Sequence, residues 1–218
     1  MSPDLSGRLA RLDACSVSDA LDALGLEGAT VGLKPLWGHP RVAGRVITVR
    51  LVEARGAQPA GRHLGTSAIE ASAPGDVIVI EHRGPAEAAG WGGILSLAAS
   101  MRKVAGVIVD GACRDVDEAR ELGFPLFARA ATAMTARGRL REASFGEPIT
   151  VDGVRVSPGD YVVADSSAVV FVGADGAPAV LERAEQIAAR ERQMAESVRA
   201  GRPVSEVMGA SYETMLRG

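Results

Sequence analysis

Two apolar strand patterns, each followed by a helical pattern, place the strongest constraint on the fold of this chain. Residues 77–81 predict a strand ahead of a helix that begins at Ile94, and residues 104–109 predict a strand ahead of a helix after Asp115. In α/β proteins, ligands collect at the carboxyl ends of adjacent strands. The two units therefore predict an α/β fold with a ligand site where these strands end.

Antiparallel elements are expected beside these units. β-Branched residues alternate over residues 41–52 and predict a long strand, and a shorter strand is expected at residues 125–129. Asp152 and Gly153 separate two alternating apolar runs, which is typical of a β-hairpin. The turn Pro-Gly-Asp occurs twice, each time before a strand pattern. The sheet should therefore be mixed, with helices packed over it.

The remaining helical patterns differ in length and polarity. The segment SVSDALDALG predicts a helix with Ser16 or Ser18 as its N-cap and Gly25 at its end. Residues 66–72 predict a short helix, and a long charged helix is expected from about residue 178 to residue 200. A polar helix of this length either lies in solvent or rests on another subunit.

Composition limits the possible classes of function. With 218 residues and 47% hydrophobic content, the chain can bury a substantial core. We expect one domain over residues 1–176 and a C-terminal helical extension over residues 177–218 that packs on a neighbouring subunit. The net charge of −3 offers no basic excess for nucleic acid. Without a signal-peptide pattern or a run of roughly 18 apolar residues, a cytoplasmic location and no membrane partner are expected.

A glycine cluster lies just before the helix that begins at Ile94. Gly90, Gly92 and Gly93 surround Trp91, so several backbone N–H groups can point at one place beside the positive end of a helix and bind a carboxylate or phosphate. The alternative is a tight turn in which glycine only permits a positive φ. A dinucleotide-binding loop is disfavoured, because its third glycine would fall at Leu95.

Arg114 and Asp115 follow the second strand pattern directly. Each has an ordinary explanation: Asp115, with Glu118 three residues later, fits a capping box, and Arg114 fits a surface ion pair. Beside an anion-binding loop, however, Arg114 can grip a carboxylate with two nitrogens. Asp115 can then hold a Mg²⁺ ion that takes water and substrate oxygens as its other ligands.

Most of the chain resembles the family of regulator of ribonuclease activity A (RraA) and the class II 4-hydroxy-4-methyl-2-oxoglutarate aldolases. The resemblance rests on six segments: VSDALDALGL, GLKPLWG, RVAGRVITV, PGDVIVI, VAGVIVDGACRDVDEARELGFPLFAR and GVRVSPGDYVVADSSAVVFV. It implies a β/β/α swivelling-domain fold of the RraA-like type. It also implies a homotrimer or homohexamer with sites between subunits.

The same resemblance implies a role for each matching residue. Arg114 would clamp a pyruvate-type substrate and Asp115 would anchor Mg²⁺ or Mn²⁺, and both would be catalytic. The amides of Gly92, Gly93, Ile94 and Leu95 would hold the substrate carboxylate. Some aldolases also use a glutamate from a neighbouring subunit. Two residues of this chain can fill that place, and the choice stays open between Glu191 and Glu196.

One position departs from the aldolase pattern of Asp, twenty residues and Arg-Asp, because the acidic position is Gly93. His63 is the best-placed replacement, since neutral imidazole suits proton transfer at pH 7, although an ordinary loop histidine is the alternative. His82 and Glu81 come next, whereas His39 is expected to be structural.

The roles of three other residues are less specific. Cys15 and Cys113 are the only cysteines, too few for a disulfide framework or a thiolate zinc site. Cys113 is expected to be a passive thiol despite its neighbour Arg114. Trp91 either covers the substrate or packs in the core.

These observations favour a divalent-metal lyase acting on small 2-oxo acids. It would cleave 4-hydroxy-4-methyl-2-oxoglutarate or decarboxylate oxaloacetate, and either reaction gives pyruvate through an enolate. Decarboxylation demands less of a general base and suits the glycine at residue 93. The alternatives are a non-catalytic regulator that binds a protein, or the same fold used for another metal-assisted reaction in a specialised pathway.

Overall fold

A computed structural model describes residues 4–55 and 62–209 of the chain. Helices in this part are α1 (Leu5–Leu9), α2 (Ala14–Ala23), α3 (Thr66–Ala71), α4 (Gly93–Met101), α5 (Val116–Glu121), α6 (Ala177–Arg199) and α7 (Val204–Val207). Strands are β1 (Lys34–Pro35), β2 (Val42–Glu53), β3 (Val77–Arg83), β4 (Ala89–Trp91), β5 (Gly106–Cys113), β6 (Leu126–Ala131), β7 (Leu140–Phe145), β8 (Ile149–Val151), β9 (Val154–Val156), β10 (Tyr161–Ala164) and β11 (Val169–Val172).

The central sheet is mixed, as the sequence predicts. Its strand order is β1-β6-β5-β3-β2-β10-β11, with β4 paired to β5 and β7 paired to β2. The four central strands β2, β3, β5 and β6 are parallel, whereas β1, β10 and β11 pair antiparallel at the two sides. The strand–helix patterns are confirmed, since β3 leads to α4 and β5 leads to α5.

The central strands have continuous apolar runs because they are covered on both faces. Ile78, Ile80 and Ile108 are completely buried. Side chains of one face pack beneath α3, α4 and α5, and those of the other face pack against the β8–β9 hairpin. Burial on both faces is typical of parallel strands between layers. This packing fixes the carboxyl ends of β3 and β5 side by side.

The start of α2 differs from the sequence prediction. Its N-cap is Asp13, whose carboxylate accepts hydrogen bonds from the Ser16 N–H at 2.7 Å and from the Ser16 hydroxyl. The predicted cap Ser16 therefore lies inside the helix, almost fully buried, and Ser18 lies a half-turn further on. An aspartate three residues upstream satisfies the same free N–H groups, so the helix begins earlier.

The long helix α6 packs along its first half on helices of the same chain. Val180, Leu181, Ala184 and Ile187 are buried in a core that also includes α1 and α2. Arg8 on α1 makes two hydrogen bonds of 2.8 Å with Glu185 on α6. Beyond Ala188 no residue of α6 is buried. Packing of the extension on a neighbouring subunit stays a prediction. Among the described residues, no helix is both long and apolar enough to span a membrane.

The groove between α2 and α6 gives a pH-dependent stability prediction. Burial raises the pKa of Glu191, and the charges of Asp13 and Asp19 raise it further. Burial, followed by Asp22 and Asp13, likewise raises the pKa of Asp19. A carboxyl whose pKa is higher in the folded state destabilises the fold while it is charged, and this penalty disappears as pH falls through the folded pKa.

Glu191→Gln should therefore raise the melting temperature at pH 7, and the gain should shrink as the pH approaches the acidic range in which an ordinary glutamate titrates, around pH 4. We expect a gain of at most about 2–4 °C, the shift that 1 kcal/mol gives in a chain of this size. Calorimetry at both pH values measures it, with the exposed Glu196→Gln on the same helix as the control. An equal gain at both pH values would contradict the explanation.

Candidate functional site

The carboxyl end of β5 and the first turn of α4 border one large cavity of about 890 Å³. Its lining includes every residue that the sequence assigned to the substrate or the metal: Gly92, Gly93, Ile94, Leu95, Arg114 and Asp115. Residues from α3, from the segment before it and from β7 form the opposite side. The fold thus brings the two predicted chemical features, the glycine cluster and the Arg-Asp pair, to one place.

The glycine cluster is a short strand followed by a helix start, and not a tight turn. β4 runs parallel to β5, and the Arg114 N–H donates to the Trp91 carbonyl at 3.0 Å. Gly90, Gly92 and Gly93 all lie outside the positive-φ region, so the turn explanation is wrong. A side chain has little room here, since a Cβ on Gly92 would lie 2.9 Å from Asp115 Oδ2. Glycine is needed here for close approach.

The first turn of α4 presents two unused backbone donors. The Gly93 N–H donates to Asp115 Oδ2 at 2.9 Å, so it is occupied. The N–H groups of Ile94 and Leu95 have no hydrogen-bond partner within residues 4–55 and 62–209. Gly92, the N-cap, provides no side chain to satisfy them. The helix start can therefore accept an anion from the cavity.

Asp115 is held in an uncommon backbone conformation that aims its side chain at α4. Its φ of 57° and ψ of 42° are left-handed, and its carboxylate makes no capping hydrogen bond to α5, so the capping-box explanation is wrong. Oδ2 instead accepts from the Gly93 N–H and, at 3.1 Å, from Arg114 Nε. Such a backbone conformation costs on the order of 1 kcal/mol and is frequent at functional sites.

The Arg114 and Asp115 side chains both keep unused polar atoms. Only Nε of Arg114 is engaged, which leaves its two terminal nitrogens open to a ligand. Likewise, Asp115 Oδ1 has no hydrogen bond to the described residues. The two side chains are 39% and 30% exposed, so both remain accessible from the cavity.

The donor set can be compared with what a metal ion needs. Across residues 4–55 and 62–209, no group of three or more His, Cys, Asp or Glu residues converges as a metal site. This excludes a closed all-protein site of the zinc type in that part of the chain. Mg²⁺ needs less, because it keeps several waters and binds through one or two carboxylates together with substrate oxygens. The free oxygen of Asp115 fits this second kind of site.

Of His63, His82 and Glu81, only His63 lines the cavity. Its Nδ1 lies 3.0 Å from the Leu64 carbonyl oxygen. His82 instead packs on Gly111 and places Nε2 2.9 Å from the Ala88 carbonyl oxygen, away from the cavity lining. Glu81 is buried between Arg50 and Arg83. His82 and Glu81 are therefore wrong as replacements, because structural contacts hold both.

Three other candidates have structural roles. His39 Nδ1 lies 3.2 Å from the Ser166 hydroxyl, outside the cavity lining. Cys113 is completely buried, and burial raises the pKa of its thiol far above the ordinary value, so a passive thiol is the consistent interpretation. Trp91 is 1% exposed and donates from Nε1 to the Ser96 hydroxyl at 2.9 Å. It packs in the core and also forms part of the cavity wall.

The sequence analysis missed the opposite wall of the cavity. Arg62, Arg137, Arg141 and Glu142 line this side. Glu142 accepts a hydrogen bond from the Gly65 N–H at 2.7 Å, whereas the Arg137 and Arg141 side chains have no partner among the described residues. The sequence analysis assigned no element to residues 140–145, which form β7. With Arg114 included, four arginines face two carboxylates, which gives the cavity a positive character.

Comparisons with known proteins identify several relatives. The sequence pattern of the RraA-like family, described as Aldolase/RraA, matches residues 14–171. The 4-hydroxy-4-methyl-2-oxoglutarate aldolase of Thermus thermophilus is 32% identical over 146 residues, which cover 67% of this chain and 84% of that protein. Protein DlpA of Legionella pneumophila is 28% identical over 91% of this chain, but the chain spans only 32% of its length.

The fold has close counterparts among solved structures. The crystal structure of Streptomyces coelicolor RraAS2, described as an unusual member of the RNase ES inhibitor RraA protein family, superposes with a TM-score of 0.78. It is 25% identical, and the match covers 93% of this chain and 98% of that one. This likeness confirms the RraA-like α/β fold with a long C-terminal helix that the sequence resemblance predicted.

Proposed function

Since the chain belongs to the RraA-like family, we propose that it is a divalent-metal-dependent lyase acting on small 2-oxo dicarboxylic acids. The observation that carries the proposal is the convergence of Arg114, Asp115 and the free amides of Ile94 and Leu95 at one end of one cavity. A relative named as an aldolase supports the same reaction class.

Arg114 and the α4 amides would bind the pyruvate part of the substrate. The two terminal nitrogens of Arg114 suit a two-pronged grip on a carboxylate. The N–H groups of Ile94 and Leu95 supply neutral donors at the positive end of a helix. Together they would fix the reacting end without burying an unpaired charge.

Asp115 is the residue that would hold Mg²⁺ or Mn²⁺. Arg114 Nε and the Gly93 N–H fix the orientation of its carboxylate through Oδ2, which leaves Oδ1 without a hydrogen bond to the described residues. When bound, such a cation acts as a Lewis acid that stabilises the negative charge on an enolate. Within the described residues, no group of three or more His, Cys, Asp or Glu side chains forms a competing metal site.

The far wall of the cavity suits the second carboxylate of such a substrate. Arg137 and Arg141 are exposed there and unpaired within the described residues. A dicarboxylate would thus meet positive charge at both ends. Retro-aldol cleavage and oxaloacetate decarboxylation both pass through the same pyruvate enolate, and decarboxylation requires no proton to be removed from a hydroxyl group.

The α4 surface supports a site shared between copies of the chain. Ile94 and Met101 are each 78% exposed and Leu97 is 43% exposed, and their spacing places all three on one helix face. An exposed apolar stripe of this kind marks an interaction surface. We therefore retain the homotrimer or homohexamer as part of the proposal.

A substrate panel tests the reaction class. We expect the purified protein with Mg²⁺ to release pyruvate from oxaloacetate, and more slowly from 4-hydroxy-4-methyl-2-oxoglutarate, as measured with a coupled lactate dehydrogenase assay. Monocarboxylic 4-hydroxy-2-oxo acids, which can release pyruvate by the same retro-aldol cleavage but lack the second carboxylate, serve as controls and should react poorly. If the monocarboxylic acids release pyruvate as fast as the dicarboxylic acids, the assignment of Arg137 and Arg141 to the second carboxylate is contradicted.

The second candidate is a non-catalytic regulator that binds another protein. It is favoured by the description of the Streptomyces structure as a member of a ribonuclease inhibitor family. A folded protein that turns over none of the panel would support this candidate or another metal-assisted reaction. Binding to a ribonuclease would then separate the two.

A further inference from the structure

The cavity beside Arg114 is much larger than the small acids of the proposed reaction. Its volume is about 890 Å³, near the upper end of the range of about 300–1,000 Å³ that holds drug-sized ligands. A sphere of that volume is about 12 Å across, whereas the terminal carbons of four-carbon oxaloacetate lie less than about 5 Å apart, at about 1.5 Å per bond. A bound oxaloacetate would therefore leave most of the cavity to water.

Two alanines help to create this space at the β7 wall. Ala54 and Ala136 both line the cavity. The Ala54 N–H donates to the Arg139 carbonyl at 2.9 Å, and the Leu140 N–H donates to the Ala136 carbonyl at 2.8 Å. Both alanines therefore lie beside the start of β7, where larger side chains would take up part of the cavity.

Apolar side chains line the cavity between the α4 wall and the β7 wall. Leu64, Leu95 and Leu140 all line it, belong to one core cluster and are only 6–7% exposed. Gly65 connects the two walls, because its N–H donates to Glu142 on β7 at 2.7 Å and a Cβ on it would lie 3.6 Å from Leu95 Cδ1. A methylene chain laid over these leucines would remove apolar surface from water, which favours binding.

Positive charge lies at both ends of this apolar stretch. Arg137 and Arg141 are exposed at the β7 wall and have no partner among the described residues. At the α4 wall, Arg114 keeps its two terminal nitrogens free. The lining thus runs from cation to apolar surface to cation. This order matches a ligand that has an anionic group at each end and methylenes between them.

We propose that the substrate is a 4-hydroxy-2-oxo acid whose C4 carries an extended aliphatic chain with a terminal carboxylate, an inference that rests on the proposed function. The 2-oxo acid end binds at Arg114, the chain covers the three leucines, and the terminal carboxylate meets Arg137 and Arg141. In the retro-aldol step the C3–C4 bond breaks and the hydroxyl proton ends on C3 of the enolate. The products are pyruvate and a carbonyl compound that carries the chain.

A series of unreactive 2-oxo diacids tests the length of the site. 2-Oxoglutarate, 2-oxoadipate and 2-oxosuberate have five, six and eight carbons and lack the 4-hydroxyl group, so retro-aldol cleavage cannot occur. Calorimetry with Mg²⁺ measures their affinities. Each added methylene should raise the affinity by up to about fourfold, so that 2-oxosuberate binds at least about tenfold more tightly than 2-oxoglutarate. A smaller gain, or an affinity that falls with length, would overturn the proposal.

Two comparisons assign the gain to the named walls. 2-Oxooctanoate has the length of 2-oxosuberate without the second carboxylate, and it should bind at least about threefold more weakly because the ion pair at the arginines is lost. Ala136→Leu should abolish the gain with length, because leucine fills the cavity beside β7. Ala143→Leu, at an exposed β7 position outside the lining, should keep the gain. Equal binding of the two eight-carbon acids, or a full gain in Ala136→Leu, would contradict the proposal. Ala54→Leu repeats the test if circular dichroism shows that Ala136→Leu is unfolded.

The binding series also separates this inference from the proposed reaction, because it requires no turnover. If the substrate panel releases pyruvate but affinity does not rise with length, the lyase stands and the extended substrate is wrong. If affinity rises with length but no member of the panel releases pyruvate, the reaction is wrong, and the extended diacid stands as the ligand of the cavity. Absence of binding for every acid would overturn both.

Discussion

Replacement of Arg114 with Ala should lower kcat/KM for pyruvate release by about 10²–10³-fold, the loss typical when one fixed donor to a developing charge is removed. In the folded chain Nε of Arg114 contacts Asp115 and its terminal nitrogens are free. The variant therefore loses both the carboxylate grip and one contact that orients Asp115. Coupled pyruvate assays measure the rate, and circular dichroism should show an unchanged fold, since the side chain is 39% exposed.

Two matched variants sharpen this prediction. Arg114→Lys keeps the charge but loses the planar two-pronged geometry, so it should recover only a small part of the lost rate. Arg120→Ala, on the exposed side of α5 and paired with Asp117, should leave the rate unchanged. A wild-type rate in Arg114→Ala would remove this residue from the site.

Asp115→Asn is the second substitution with a large expected effect. The side chain keeps its shape, and its amide oxygen can still accept from the Gly93 N–H, but the negative charge that would hold a cation is lost. We expect Mn²⁺ affinity to fall at least about 10–100-fold, a loss as large as that caused by mutating the outer groups that merely orient a metal ligand. Activity should be lost with it. Paramagnetic resonance of bound Mn²⁺ measures the affinity directly.

The backbone at this position makes the variant a clean test. Asp115 has a φ of 57°, and asparagine tolerates this left-handed region at least as well as aspartate. The melting temperature should therefore change little. Asp117→Asn, two residues further along the chain, controls for general loss of negative charge. If Asp115→Asn binds Mn²⁺ as tightly as wild type, the metal lies elsewhere.

The parts of the fold that were predictable from sequence follow from local pattern. The apolar runs at residues 77–81 and 104–109 became β3 and β5, because a strand covered on both faces needs no polar positions. Asp152 and Gly153 have φ values of 48° and 85°, the backbone that such a two-residue hairpin requires. Helix α6 ends two residues before Gly201, whose φ of 84° is the left-handed backbone that commonly follows the end of a helix.

The parts that were not predictable depend on tertiary contacts. β4 has only three residues and exists because β5 provides a partner for it. Asp115 looked like a cap for its own helix, but its carboxylate bonds to Gly93, 22 residues earlier. The position of Glu118 over Gly93 has no local signature, since it needs α4 and α5 to meet. Arg137 and Arg141 lie at the site only because β7 pairs with β2.

Chelation and restoration of the metal give the most direct test of the central claim that this site supports a divalent-metal lyase. Pyruvate release from oxaloacetate would be followed in one preparation before chelation, in excess EDTA, and after Mg²⁺ or Mn²⁺ is added beyond the chelator, with the slow reaction of free metal subtracted. The account predicts loss of release in EDTA and recovery on metal addition, with no recovery in Asp115→Asn. Release that persists unchanged in EDTA would contradict it.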